Sequence, residues 1–370
     1  MKHIVGFVKR EPVLVIAALL AVVSMFFVPP SAEYMEYIDL RVLCLLFCLM
    51  AVVAGLRSCG LFELLSQKLL AGKKSFRTVT LALVLLPFFL SMLVTNDVAL
   101  IAFVPFAIFI LNLANRRDAI IRVVVLQTVA ANLGSMATPV GNPQNLFLYA
   151  KYEMSAGSFF GLLVPLTLIS LALLVAASVF RGGERVELEF EERAKLQSPP
   201  RFWCYVVLFA LCLLSVFRVL PYPITTAVVV VAMLVLAPKL LKEVDYFLLL
   251  TFVCFFIFSG NLGRIPQISG FLSGIVEKNT LVASAAVSQV ISNVPAAVLL
   301  SGFTDNALGL LAGVDVGGLG TPVASLASLI SLKFYLAQPD RRLGRYMLVF
   351  TVANLVGLAV LLPIAALLVG

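Results

Sequence analysis

The chain has 370 residues, of which 62% are hydrophobic and 12% charged, with a mean hydropathy of +1.08; a soluble domain carries about 25% charged residues. This balance excludes a soluble globular protein and makes the fold class an all-α polytopic membrane protein. The formal charge of +8 would suit a polyanionic partner, but with a cytoplasmic N-terminus 22 of the 27 lysines and arginines fall on that side, leaving Arg41, Lys151, Arg218, Arg264 and Lys278 outside, so a positive-inside bias accounts for the charge without nucleic acid.

Apolar runs long enough to cross roughly 30 Å of hydrocarbon begin with Val13–Pro30 and Ile38–Leu56. Lys2, Lys9 and Arg10 ahead of the first run resemble a signal peptide, but a counterpart of that run in the second half favours a retained helix. Cys59–Gly72 reads as an interfacial amphipathic helix, with a plain loop as the alternative. A hairpin at about 78–115 (runs Val79–Val94 and Val98–Ala114) has a basic cluster at each end and polar residues only at its tip, Thr95-Asn96-Asp97. Equal charge on both flanks means either a re-entrant hairpin or two full helices. Either way the tip must sit in protein or water, because lipid offers it no hydrogen-bond partner.

The next span, Ala119–Tyr149, contains Gly134-Ser-Met-Ala-Thr138-Pro139-Val-Gly141-Asn142-Pro143-Gln144-Asn145. Proline removes a helix hydrogen bond and clashes with the preceding turn, so this run predicts a broken helix at about 119–150. The freed carbonyls and half-helix dipoles suit small ions and anionic groups, and Asn142, Gln144 and Asn145 add neutral donors and acceptors. Phe159–Phe180 closes a first repeat over 1–180. An acidic linker over 181–201 reads as a solvated cytoplasmic connection, and an extra span, Phe202–Leu220 (domain 202–220), has no counterpart.

Residues 221–370 repeat the order of parts: Ile224–Leu241, Tyr246–Leu262, an amphipathic Gly263–Lys278, and a hairpin at about 280–304 in the run Leu281–Phe303. A broken helix at about 315–337 (run Gly317–Tyr335) and Tyr346–Val369 complete it. Ser292-Asn293 forms the second tip and Gly317-Gly318-Leu-Gly320-Thr321-Pro322 the second break. Thr321 follows Thr138 by 183 residues, an offset that sets Asn142 against Ser325 and Asn145 against Ser328. An odd number of crossings ahead of the second repeat inverts it, giving a pseudo-two-fold axis in the membrane plane.

Polar, Gly- and Pro-broken segments at matching positions in two halves mark the binding site of a repeat-built secondary transporter. The candidate substrate or ion ligands are Thr95, Asn96, Asp97, Thr138, Gly141, Asn142, Asn145, Ser292, Asn293, Thr321, Ser325 and Ser328. The residues that break the helices are Gly134, Pro139, Pro143, Gly317, Gly318, Gly320 and Pro322. Asn96, Asn142, Asn145, Asn293 and Thr321 are expected to converge on one cavity near the midplane. Asp97 is a cation ligand, a proton carrier or half of an ion pair, or else a cap for the helix that follows; its counterpart is Val294, and Asp315 reads as a cap at the start of the second broken span. His3 is the sole histidine, which removes Ser-His triads and His-based metal catalysis. No Gly-Lys-Ser/Thr loop is present to couple ATP.

The Thr95-Asn96-Asp97 and Ser292-Asn293-Val-Pro295 tips and the Gly141-Asn142-Pro143-Gln144-Asn145 string resemble the arsenite-permease and citrate-transporter-like branch of the ion transporter superfamily, anion permeases related to the divalent-anion:sodium symporters. The resemblance covers nearly the whole chain. It implies inverted repeats with re-entrant hairpins and broken helices, carrying a small anion or oxyanion (an organic carboxylate or an arsenite-like species) by alternating access. A proton or sodium gradient would drive it, with no cofactor beyond that coupling ion and no metal beyond a sodium site. In the symporters, Ser-Asn-Thr tips bind substrate carboxylate and sodium; Thr95-Asn96 and Ser292-Asn293 match the first two positions, while Asp97 and Val294 replace the third, which leans toward the permeases. The alternatives are a sodium/proton antiporter using Asp97 and, remotely, an intramembrane enzyme. The expected partners are a small solute or ion and the lipid bilayer of the cell (inner or plasma) membrane, with a homodimer left open.

Overall fold

A computed structural model describes residues 11–179, 184–188 and 194–370. Lys2, His3, Lys9, Arg10 and the linker residues 180–183 and 189–193 lie outside the described residues. The first half contains α1 (Pro12–Met25), α2 (Tyr34–Tyr37), α3 (Leu40–Ser58), α4 (Leu61–Leu70), α5 (Phe76–Leu90), α6 (Asn96–Leu113), α7 (Ile120–Ser135), α8 (Pro143–Lys151) and α9 (Ala156–Val179). Then come α10 (Pro199–Val216), α11 (Tyr222–Leu236), α12 (Tyr246–Gly263), α13 (Pro266–Val276), α14 (Thr280–Ile291), α15 (Asn293–Leu300), α16 (Ala307–Val316), α17 (Leu326–Leu336) and α18 (Leu343–Val369). Among the described residues, seven segments of 18–27 residues are long and apolar enough to cross a membrane. Large apolar side chains such as Phe109, Trp203, Val231 and Leu355 point outward, a surface that suits lipid and would be a liability in water. The protein is a multi-pass membrane protein.

Helix starts follow local capping chemistry, and the two halves use it alike. The Asp39 carboxylate accepts from Val42 N at 3.0 Å at the head of α3, and Asp245 accepts from Leu248 N at 2.9 Å at the head of α12. Ser75 accepts from Thr78 N ahead of α5, as Asn279 does from Val282 N ahead of α14. Each such contact satisfies a backbone N–H that the first turn leaves without a partner.

Several elements are too short to span. The 12 and 8 residues of α14 and α15 cover about 18 and 12 Å at 1.5 Å per residue, well below the roughly 30 Å of a hydrocarbon core. The 15 residues of α5 reach only about 22 Å. The amphipathic segments ahead of these regions are helical, as α4 before α5 and α13 before α14.

Packing crosses between the halves reciprocally. Helix α1 packs on α12, and α11 packs on α3; α6 packs on α17, and α15 on α8; α7 packs on α18, and α16 on α9. In each case element i meets j and the element at the matching place of i in the other half meets that of j. Helix α10 packs on α3 and α11.

The linker, largely exposed where it is described, contains a short strand that the sequence did not announce. Arg185–Leu188 forms β2, antiparallel to β1 (Gly72–Ser75), with Lys73 opposite Glu187. Glu184 pairs with Arg116, and Gln197 N bonds to Cys59 O. Strands of only four residues, half of them charged, are too short for a pattern to announce them. The backbone ladder holds the ribbon together.

Candidate functional site

Both predicted breaks are present: α7 stops at Ser135 and α8 resumes at Pro143, while α16 stops at Val316 and α17 resumes at Leu326. Pro143 takes the first helical position of α8, where its missing N–H leaves nothing unpaired. Each break receives a hairpin tip. Asn96 N donates to Gly141 O at 3.2 Å, and Asn293 N donates to Ala324 O at 3.0 Å; Gly141 and Ala324 are 183 residues apart. The Thr138 hydroxyl donates to Met92 O, and the Thr321 hydroxyl donates to Gln289 O, each acceptor lying four residues ahead of its tip asparagine.

Two glycines permit this docking. A Cβ on Gly134 would lie 2.1 Å from Phe88 O, and one on Gly317 would lie 2.7 Å from Ala285 Cα. Helix α7 therefore meets α5 backbone to backbone, as α16 meets α14. In the second break Gly320 has φ +117° and would drive a Cβ to 2.0 Å from Gln289 Oε1, so that position requires glycine twice over. The second tip is itself strained, since Ser292 has φ 75°, a conformation kept mainly where the surroundings impose it.

The halves are joined by two bridges. Asn132, at the end of α7, accepts from Asn96 Nδ2 and from Ser325 Oγ, both at 3.0 Å, and makes a long 3.5 Å contact to Gly318 O. Asp315, at the end of α16, accepts at Oδ1 from Asn142 Nδ2 and Gln144 Nε2, both at 3.3 Å. Asn142 also holds Ser135 Oγ at 3.3 Å and caps α8 through Asn145 N at 2.9 Å. Asn293 sits against Gly318, whose Cβ would lie 2.9 Å from Asn293 Nδ2. Asn96, Asn142, Asn145, Ser292, Asn293, Ser325 and Ser328 are all buried.

Asp97 stands in the first turn of α6, with its backbone N bonded to Asn96 Oδ1 at 3.0 Å. It is not a cap, and its buried Oδ1 has no hydrogen-bond partner. With Thr95 and Pro143 it lines a cavity of about 460 Å³ whose other walls include Arg57, Lys242 and Asp245. That cavity follows α3 from Leu46 to Arg57, a run of about 16 Å at 1.5 Å per residue.

Two expectations are corrected here. Asp315 does not cap the start of a span: the helix begins eight residues earlier, at Ala307, capped by Asn306, and Asp315 is buried in its last turn. Thr321 does not join the other polar residues. It is exposed, and both its N–H and its hydroxyl are taken up by Gln289. Asn132 was missed as a site residue, although the 183-residue offset that aligned the threonines also sets it against Asp315.

A family model described as Citrate transporter matches residues 4–316. The chain is 32% identical over 341 residues to an uncharacterized transporter of Methanocaldococcus jannaschii, covering 90% of this chain and 91% of that one. The chain belongs to the citrate transporter family. This family member is also 30% identical over 324 residues to an inner membrane protein of Escherichia coli, covering 86% of this chain and 85% of that one. Over 159 residues it is 32% identical to a silicon efflux transporter of Oryza sativa subsp. japonica, a match to 42% of this chain and 32% of the plant protein. The family and two of these three relatives are named as transporters, and the citrate transporter family member described here is a membrane transporter.

Proposed function

We propose that this transporter moves a small anion or oxyanion across the inner or plasma membrane by alternating access, with a cytoplasmic N-terminus and a proton or sodium gradient as the drive. The observation that carries this reading is one-sided access. The cavity beside α3 reaches the first tip, at Thr95 and Asp97, and the head of α8 at Pro143, whereas the second tip, at Ser292 and Asn293, is buried against the second break. A two-fold-related frame opened at one tip alone is one member of a pair of states.

The chemistry of the route supports a small cargo. Arg57 and Lys242 stand in the cavity wall beside four carboxyl groups, Glu11, Asp97, Glu243 and Asp245. Deeper in, the polar groups are amides and hydroxyls, and among the described residues Asp315 is the one charged side chain that is fully enclosed. Neutral donors suit a compact oxyanion or its uncharged acid better than a multiply charged carboxylate, which would need fixed cations to offset its desolvation. The partial similarity to a plant silicon efflux transporter agrees with an oxyacid cargo.

Flux in proteoliposomes tests the reading, with arsenite, silicate, phosphate, succinate and citrate offered under a proton or a sodium gradient. Uptake of at least one solute under one of the two gradients, lost in Asn96→Ala, is the expected outcome. A protein that moves none of these under either gradient refutes it. The second reading, a sodium/proton antiporter, is favoured by the unpartnered Asp97 oxygen in the cavity. It predicts sodium-driven alkalinisation of acid-loaded vesicles with no anion present.

A further inference from the structure

The two bridges between the halves are counterparts, but they differ in one atom. Asn132 accepts from Ser325, and 183 residues later Asp315 accepts from Asn142, the counterpart of Ser325. One bridge is an amide and the other a carboxyl. The carboxyl is incompletely partnered: Oδ1 takes two amide N–H groups, while Oδ2 is buried without a partner. Asn145 is tied to the same junction, its backbone N donating to Asn142 Oδ1 at 2.9 Å. Its Nδ2 is committed to the carbonyls of Met136 and Thr138, both at 3.3 Å, which fixes the amide with Oδ1 as the remaining group. That Oδ1 is likewise buried and unpartnered.

An orphan carboxyl oxygen at this junction calls for something that donates or bonds to it, since a buried acceptor left unmade is costly. A sodium ion is a poor fit. It would want several oxygens, yet Asn142 and Gln144 aim N–H groups at this carboxyl, and their positive ends would repel a cation. A proton fits with nothing added. On Oδ2 it turns Oδ1 into a carbonyl oxygen accepting two N–H bonds, and the new O–H can donate to Asn145 Oδ1.

The helices packed most closely on α16 are α7, α8, α9, α14, α15 and α18. Their ionisable side chains are Arg122, Tyr149, Lys151, Arg345 and Tyr346, and the hydrogen bonds of Asp315 go to none of them. No fixed cation therefore competes with a proton for this carboxyl.

We propose that Asp315 is the proton site of this transporter, binding H⁺ on Oδ2 and donating it to Asn145 Oδ1 across the junction of the two halves. The inference rests on the reading of the chain as a gradient-driven transporter and names its coupling ion. The only bond made or broken is O–H: the proton arrives from water on one side and leaves to water on the other. Because donor and acceptor belong to opposite halves, any movement that parts the bridges removes the partner of the O–H group and opens the site.

Two measurements test it. Infrared spectroscopy of the purified protein, with no cargo, should show a carboxylic-acid C=O band that is lost reversibly as the pH is raised and is absent from Asp315→Asn. In folded Asn145→Ala the band should shift, because its O–H loses its acceptor; this second variant decides the matter if Asp315→Asn proves unfolded on gel filtration. In proteoliposomes carrying a pH-sensitive dye, a gradient of whichever of arsenite, silicate, phosphate, succinate or citrate is moved should drive protons through the wild type, whereas in Asp315→Asn proton movement should fall to the level of empty liposomes. The inference is overturned if Asp315→Asn keeps the band, or if it moves as many protons per cargo molecule as the wild type. Absence of any cargo flux in the wild type refutes the transport reading instead, and the infrared result still decides whether Asp315 holds a proton.

Discussion

Replacing Asn132 by leucine should loosen the docking of the first hairpin tip and the joint between the halves at once. Leucine is close to asparagine in size, so packing is largely kept, but Asn96 Nδ2 and Ser325 Oγ, each held at 3.0 Å by Asn132 Oδ1, lose their acceptor. Both are buried at the junction and have no second partner there. A buried donor left unmade costs about 1–3 kcal/mol, so the pair should cost about 2–6 kcal/mol. The 3.5 Å contact to Gly318 O adds little. The control is Asn112→Leu: Asn112 is half-buried and bonds only to Ile108 O, inside its own helix, and such a change should stay within about 0.5–1 kcal/mol. Denaturant titration in detergent compares the two variants, and proteoliposome flux shows whether the loss reaches transport. Equal losses of stability in both variants, with flux unchanged in Asn132→Leu, would refute the bridge as a determinant of the fold and site.

The remaining predictions concern the same junctions. Gly134→Ala places a methyl 2.1 Å from Phe88 O, while Gly161→Ala meets nothing within 4 Å; the first should lose at least about 1–3 kcal/mol through forced separation of α5 and α7, and denaturation midpoints will show whether the second is spared. Thr138→Val and Thr321→Val each delete one hydroxyl bond to a carbonyl beside a hairpin tip, and each should cost about 0.5–1.5 kcal/mol; a ligand role for Thr321 would instead appear as lost flux at unchanged stability. In a cysteine-free background, Met50→Cys in the cavity wall should react with a membrane-impermeant thiol reagent from the side bearing Arg57 alone, and a cargo that occupies the cavity should slow the reaction.

The positions of the tips and breaks were legible because amides, glycines and prolines are expensive in an apolar span, and a chain that keeps them twice at one spacing declares them. Legibility ended where partners had to be chosen. Nothing in the string Asn142-Pro143-Gln144-Asn145 says that its amides reach a residue 171–173 positions away. Asp315 was misread because Gly317 looked like the beginning of the second span, when the chain from Asn306 onward had already formed α16. Thr321 was placed among the ligands because threonine at a break is a fair ligand by type, yet its hydroxyl serves the backbone of α14. The β1–β2 ribbon gave no signal at all, since its strands are charged and four residues long.

The difference between the two bridges carries the most consequence. Two-fold relatedness alone would give both junctions the same chemistry and leave the frame indifferent to which tip is open. Here one junction is held by an amide, which no change of pH alters, and the other by a carboxyl whose Oδ2 is buried without a partner. The strength of the second joint then depends on a proton while that of the first does not. A ligand shifts an equilibrium only by its differential affinity for the two states, and a proton that finds both of its partners only when the halves are joined at Asp315 has such a preference built in. The sequence already contained this asymmetry in the replacement of Asn132 by Asp315 at the repeat offset; it takes the folded junction to show that the exchanged atom is the one left without a partner.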